Sequence, residues 1–140
     1  MNYRRLRHAL RLLLLVCCVL NFSSCSEDLD NPSLFLYRGT WTVVEAKVTD
    51  SSPHFLMDGD KLILHKNSKF EIKNKSLKYE GKWSGTDENI LFSVKDENGE
   101  VDDVPDIIGF VDKLTQDSLK VGLRFGPAVV GDISIVTLKK

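Results

Sequence analysis

Lys61-Leu62-Ile63-Leu64-His65-Lys66-Asn67-Ser68-Lys69-Phe70-Glu71-Ile72-Lys73-Asn74-Lys75-Ser76-Leu77-Lys78-Tyr79-Glu80-Gly81-Lys82-Trp83 is the stretch that decides the fold. Its apolar residues recur every second position. Leu62 and Leu64 share one face, then Phe70 and Ile72, then Leu77, Tyr79, Gly81 and Trp83. Lysines and glutamates take the other face. A period of two is the signature of strands with one dry and one wet side, hence antiparallel strands. Asn67-Ser68 and Asn74-Lys75-Ser76 supply the intervening turns.

The same reading extends in both directions. Upstream, Gly39 to Val48 is rich in Thr, Val and Trp and predicts a long strand. Strict alternation puts Trp41, Val43 and Glu45 on one face and Thr42, Val44 and Ala46 on the other. The apolar segment Leu34–Tyr37 just before it is expected to pack under the end of the domain. Between this strand and Lys61 lies a loop punctuated by Pro53 and Gly59. It carries Phe55-Leu56-Met57, an apolar triplet that reads either as a plug closing the core or as the entrance of a ligand cavity. Downstream, Ile90, Phe92 and Val94 form the dry face of a strand. Lys95 to Pro105 is an acidic hairpin tip, with Asn98-Gly99 suggesting a type I′ turn. Ile107 to Leu114, with a bend at Gly109, Leu119 to Phe125, and Ile133 to Leu138 complete eight strands. No segment has sustained helical periodicity. The fold class is all-β, an eight-stranded up-and-down antiparallel barrel over residues 34–140, whose interior is filled by side chains or holds one small ligand.

The first residues follow different rules. Arg4, Arg5, Arg7 and Arg11 precede an apolar run from Leu12 to Leu20, too short to span a bilayer as a helix. Ser23-Ser24-Cys25 follows. A basic head, a short apolar core and small residues before a cysteine resemble the lipobox of bacterial lipoproteins, although Phe22 stands where the usual box has leucine. The resemblance implies a signal peptide over residues 1–24, cleavage before Cys25 and acylation of its thiol. Each buried CH₂ contributes about 0.8 kcal/mol, so two or three chains hold a protein on a membrane. Residues 25–33 then form the lipidated cysteine and a flexible polar tether. The implied location is the cell envelope, on the periplasmic or the outer surface of the outer membrane. Glu27 and Asp28 resemble the acidic export tags of some surface lipoproteins; plain spacer acidity explains them equally well.

Charge and cysteine content narrow the function. The 140-residue chain has a formal charge of −1, and losing four arginines with the signal makes the remainder more acidic. That excludes nucleic acid as a natural partner. Lysines crowd residues 61–82 and acids crowd residues 87–117, read as solvated strand faces or as a dipole that steers a charged partner. Cys17 and Cys18 leave with the signal, so no thiol remains for catalysis or zinc. His54 and His65 have no metal-ligand spacing, no nucleophile motif is present, and nothing calls for a cofactor. An enzyme is the remotest class.

Gly39-Thr40-Trp41 at the head of the first strand, and Gly81-Lys82-Trp83 mid-chain, resemble the Gly-x-Trp motif of lipocalins and of bacterial lipoproteins with a lipocalin-like domain. The resemblance implies that Trp41 plugs the closed end of the barrel, with Arg38 or Arg124 lying across its indole. Two functions are open on this reading. The barrel binds a small apolar or amphipathic ligand near Phe55, Leu56 and Met57, or it is filled and acts through its surface as a protein-interaction or inhibitor module on an envelope protein.

Overall fold

The computed structural model describes residues 33–73, 78–126 and 132–140. Residues 1–32, 74–77 and 127–131 lie outside the described residues, and with them the expected signal peptide, Cys25 and the expected tether. Helix α1 (Ser33–Tyr37) leads into β1 (Gly39–Lys47), β2 (Lys61–Leu64), β3 (Lys69–Lys73), β4 (Lys78–Gly85), β5 (Asn89–Val94), β6 (Ile107–Leu114), β7 (Ser118–Phe125) and β8 (Ser134–Lys139). Each strand pairs antiparallel with the next, and β8 returns to β1, so the sheet closes into an up-and-down barrel.

The alternation of β2 and β3 is realised directly. Leu62 pairs with Ile72 and Leu64 with Phe70, and all four are buried while Lys61, Lys69 and Lys73 face water. β1 departs from strict alternation. Its register against β8 shifts between Val43 and Glu45. This bulge places one extra residue on β1 and reverses the facing of the residues after it. Val44 and Glu45 therefore both face out, and Ala46, expected on the wet face, packs against the core. A second shift lies between Val111 and Lys113 in β6. Gly109 is paired on both sides, with Ile90 and Leu123, without a register shift. Gly109 faces inward, where a Cβ would stand 2.6 Å from Ile90 Cγ2 and 2.8 Å from Val121 Cγ2. Its missing side chain is space that those neighbours use.

α1 is a single helical turn; the segment packs under the barrel as expected, although its helical form has no signal in the sequence. Gly39 follows it at φ +117° and turns the chain into β1, a conformation that costs glycine little. Tyr37 is fully buried, and Leu34 packs on the core. The hairpin after β5 also differs from expectation. Gly99 has positive φ (+81°) but Asn98 does not, so the turn is not type I′. Instead the Asp96 carboxylate accepts the backbone N–H groups of Asn98 (2.9 Å) and Glu100 (2.8 Å). The aspartate side chain holds the turn that the Asn-Gly pair was expected to make by backbone preference alone.

Candidate functional site

The two Gly-x-Trp motifs meet at the end of the barrel capped by α1. Trp41 is fully buried, and its indole N–H donates to the Tyr37 carbonyl at 2.6 Å. The Trp83 indole N–H donates to the His65 carbonyl at 3.1 Å. The Tyr37 ring meets that of Trp83 edge-on at 5.9 Å, and its hydroxyl donates to the Thr86 carbonyl at 2.7 Å. Burial, and secondarily the negative charge of Asp87, pushes the Tyr37 phenol up to about 12. Tyr37 is thus a stopper held at ring and hydroxyl. The two glycines serve different ends. Gly39 is needed for its backbone angle. At Gly81 a Cβ would lie 2.0 Å from the Ser93 carbonyl oxygen, so only glycine lets β4 approach β5.

Neither arginine covers Trp41. Arg38 stacks on Phe35 (4.8 Å) and Arg124 on Phe110 (4.9 Å). The cation over the indole is Lys140, 4.5 Å from the ring centroid, and the same ammonium donates to the Leu36 carbonyl at 2.8 Å. Burial lowers the Lys140 pKa. Arg124 neighbours Leu123, which faces inward. It therefore projects outward, away from the indole. The pairing of β1 with β8 brings the end of the chain to the base of β1.

At the other end the β1–β2 loop folds inward. Phe55 is 7% exposed, Leu56 is buried, and Met57 lies at the rim. The Phe55 ring packs at 5.1 Å from Phe92, 5.9 Å from Phe70 and 6.3 Å from Tyr79. Tilted and edge-on contacts of this kind add to the burial itself. Carboxylates staple the loop in place. Asp60 accepts the Met57 N–H at 2.9 Å, and Asp58 accepts the Ala46 N–H at 2.6 Å. Asp132 accepts from both Thr49 and Ser51; these hydrogen bonds, that from Ser51 first, hold its carboxyl below the usual range. Phe55 and Leu56 thus form part of the filling between the sheet walls.

The outer surface has two characters. Over β2–β4 it is charged, with like charges directly opposite: Lys61 faces Lys73, Lys69 faces Lys82 and Glu71 faces Glu80. Such pairs repel. A His65 ring nitrogen lies within hydrogen-bond distance of Glu71 at 3.1 Å, and the Lys95 ammonium, 3.2 Å from Glu80, relieves the acidic pair. A groove of about 580 Å³ runs along this face. Over β5–β8 an apolar patch with Phe110 and Ile135 exposed lies beside a charged one, where Asp112 pairs with Lys120 at 2.8 Å. Asp106, in the acidic segment, accepts the Val94 N–H at 2.6 Å. Among the described residues no cluster of three or more His, Cys, Asp or Glu side chains is arranged to hold a metal ion.

Sequence reasoning located both tryptophans, the apolar loop and the packing of Leu34–Tyr37 under the barrel, but it missed the Tyr37 hydroxyl contact, Lys140 and Asp132. All three contacts span long sequence separations that no local pattern announces. Cys25 lies outside the described residues. Comparison of the chain with protein-family models, with curated proteins and with solved structures found no match.

Proposed function

We propose that this protein is a lipoprotein of the bacterial outer membrane, anchored through acylated Cys25, whose lipocalin-like barrel acts without catalysis as a protein-interaction module. The observation that carries the reading is the placement of Phe55. Its ring occupies the barrel interior against Phe70, Tyr79 and Phe92, where a ligand of a hollow barrel would sit. Tyr37, Trp41 and Trp83 fill the opposite end. An eight-stranded barrel is narrow enough for side chains to fill. Apolar ligands would have to displace Phe55 and Leu56, so a filled interior favours work done by the surface.

Titration with an apolar fluorescent probe tests this. Wild-type protein should show no saturable uptake, and Phe55→Ala, which opens the upper interior, should gain it. Saturable one-to-one uptake by the wild type, with a change in the Phe55 environment, would overturn the module reading in favour of a ligand carrier. The anchor is tested separately: Cys25→Ala should leave the membrane fraction, and retention there would refute acylation.

A further inference from the structure

The unusual group on the apolar outer face is Arg124. Its Nε is buried and has no hydrogen-bond partner. Its guanidinium lies 4.9 Å over the Phe110 ring, and among the described residues no carboxylate forms an ion pair with it. It lines a groove of about 390 Å³ whose other walls include Leu91, Ile108 and Phe110. The registers explain the setting: Leu91, Ile108 and Arg124 form one row across β5–β7. Phe110, Gly122 and Ile135 form the next across β6–β8. Gly122 leaves a dip that Ile133 leans over, its Cγ2 only 2.8 Å from where a Cβ would be. Phe110, Ile133 and Ile135 are 39%, 47% and 44% exposed. Asp106, whose carbonyl accepts the Gly126 N–H near this end of β7, has its carboxylate committed to the Val94 N–H, and the Asp112 carboxylate pairs with Lys120.

A stacked, partly desolvated guanidinium with unused donors, ringed by exposed apolar side chains, has the chemistry of an interface centre. Arginine and aromatic residues dominate such centres, and the guanidinium fork matches a carboxylate. We propose that the outer face of β5–β8 docks a partner protein through a segment that presents one carboxylate among apolar side chains, with the carboxylate on Arg124. This inference rests on the interaction-module reading and names its working face.

The test uses isotope-labelled, purified full chain and two capped pentapeptides, each with leucine at both ends and alanine next. One has glutamate at the centre and the other glutamine. The glutamate peptide should shift the Arg124 Nε–H resonance saturably, and the glutamine peptide should bind about tenfold more weakly, the factor a charge-assisted hydrogen bond supplies. Arg124→Gln should remove that discrimination, and Arg124→Lys should restore only part of it. Equal binding of both peptides, or no binding, overturns the proposal even if the variants fail to fold. Hexanoate is the third probe: if it shifts Arg124 and the glutamate peptide does not, the site serves a small acid and protein docking is refuted. Failure of the module reading is separate, since it shows as probe uptake at Phe55 whatever Arg124 does.

Discussion

Replacing Gly81 with alanine should be among the most damaging single-methyl changes in this protein. The added Cβ would stand 2.0 Å from the Ser93 carbonyl oxygen, 3.0 Å from the Ser93 carbonyl carbon and 2.9 Å from Phe70 Cε1. Carbon–oxygen contacts between strands normally open to about 3.3 Å or more, so β4 and β5 must part by over an ångström. The obstacle is backbone, which cannot swing aside. Gly81 also pairs with Phe70 on one side and Val94 on the other, so movement away from β5 compresses β3. Overpacking costs about 1–3 kcal/mol, and a clash between two ladders belongs at the top of that range. For a domain of this size about 3 kcal/mol lowers Tm by roughly 12 °C or more. Gly59→Ala is the matched control. Nothing lies within 4 Å of its Cβ, so only its φ of +86° opposes the change, at about 1 kcal/mol. Thermal unfolding followed by near-ultraviolet circular dichroism, which reports the buried tryptophans, measures both. The steric reasoning is refuted if Gly81→Ala melts within about 4 °C of wild type, or no lower than Gly59→Ala.

Tyr37 should make the fold sensitive to alkali. Its phenol ionises near 10 when unfolded and at about 12 when folded, so below pH 10 the group has no pH effect. Between pH 10 and pH 12 the unfolded chain releases the proton first, and stability falls by about 2–3 kcal/mol. Tyr37→Phe should lose about 1 kcal/mol at neutral pH with the Thr86 hydrogen bond, but flatten that alkaline slope in denaturant titrations. Lys140→Gln should cost about 1 kcal/mol by removing the cation from Trp41 and alter tryptophan fluorescence, whereas Arg38→Gln should leave the Trp41 signal unchanged. Asp132→Ala should speed amide exchange across residues 49–52 while leaving Tm nearly unchanged, because its hydrogen bonds tie a loop and not the ladder.

How legible the architecture was depends on how local its cause is. The alternation from Lys61 to Trp83 reports which face is dry, and the barrel follows from eight such runs with short connections. Bulges are invisible to this logic: Val43-Val44-Glu45 reads as regular alternation, and only pairing with β8 shows that Val44 and Glu45 both turn outward. The aromatic plug was half legible. Phe55-Leu56 is conspicuous in a loop, but the loop falls inward because Asp58, Asp60 and Asp132 fasten it. The lysine over Trp41 could not be chosen from sequence, because 99 residues of chain separate the two and only barrel closure brings them together. The resemblance offers Arg124, with Arg38, as the cation over Trp41, although alternation with Leu123 already sets Arg124 on the outer face, where it stacks on Phe110.

Closure of the first strand onto the last leaves no strand at a sheet edge among the described residues. A visiting chain therefore cannot extend the ladder by adding a strand of its own, a common way for sheets to recruit peptides. Adhesion to the barrel wall would then fall mainly to side chains. Its specificity can then be rewritten one surface residue at a time, while the hydrogen-bonded cylinder beneath stays intact.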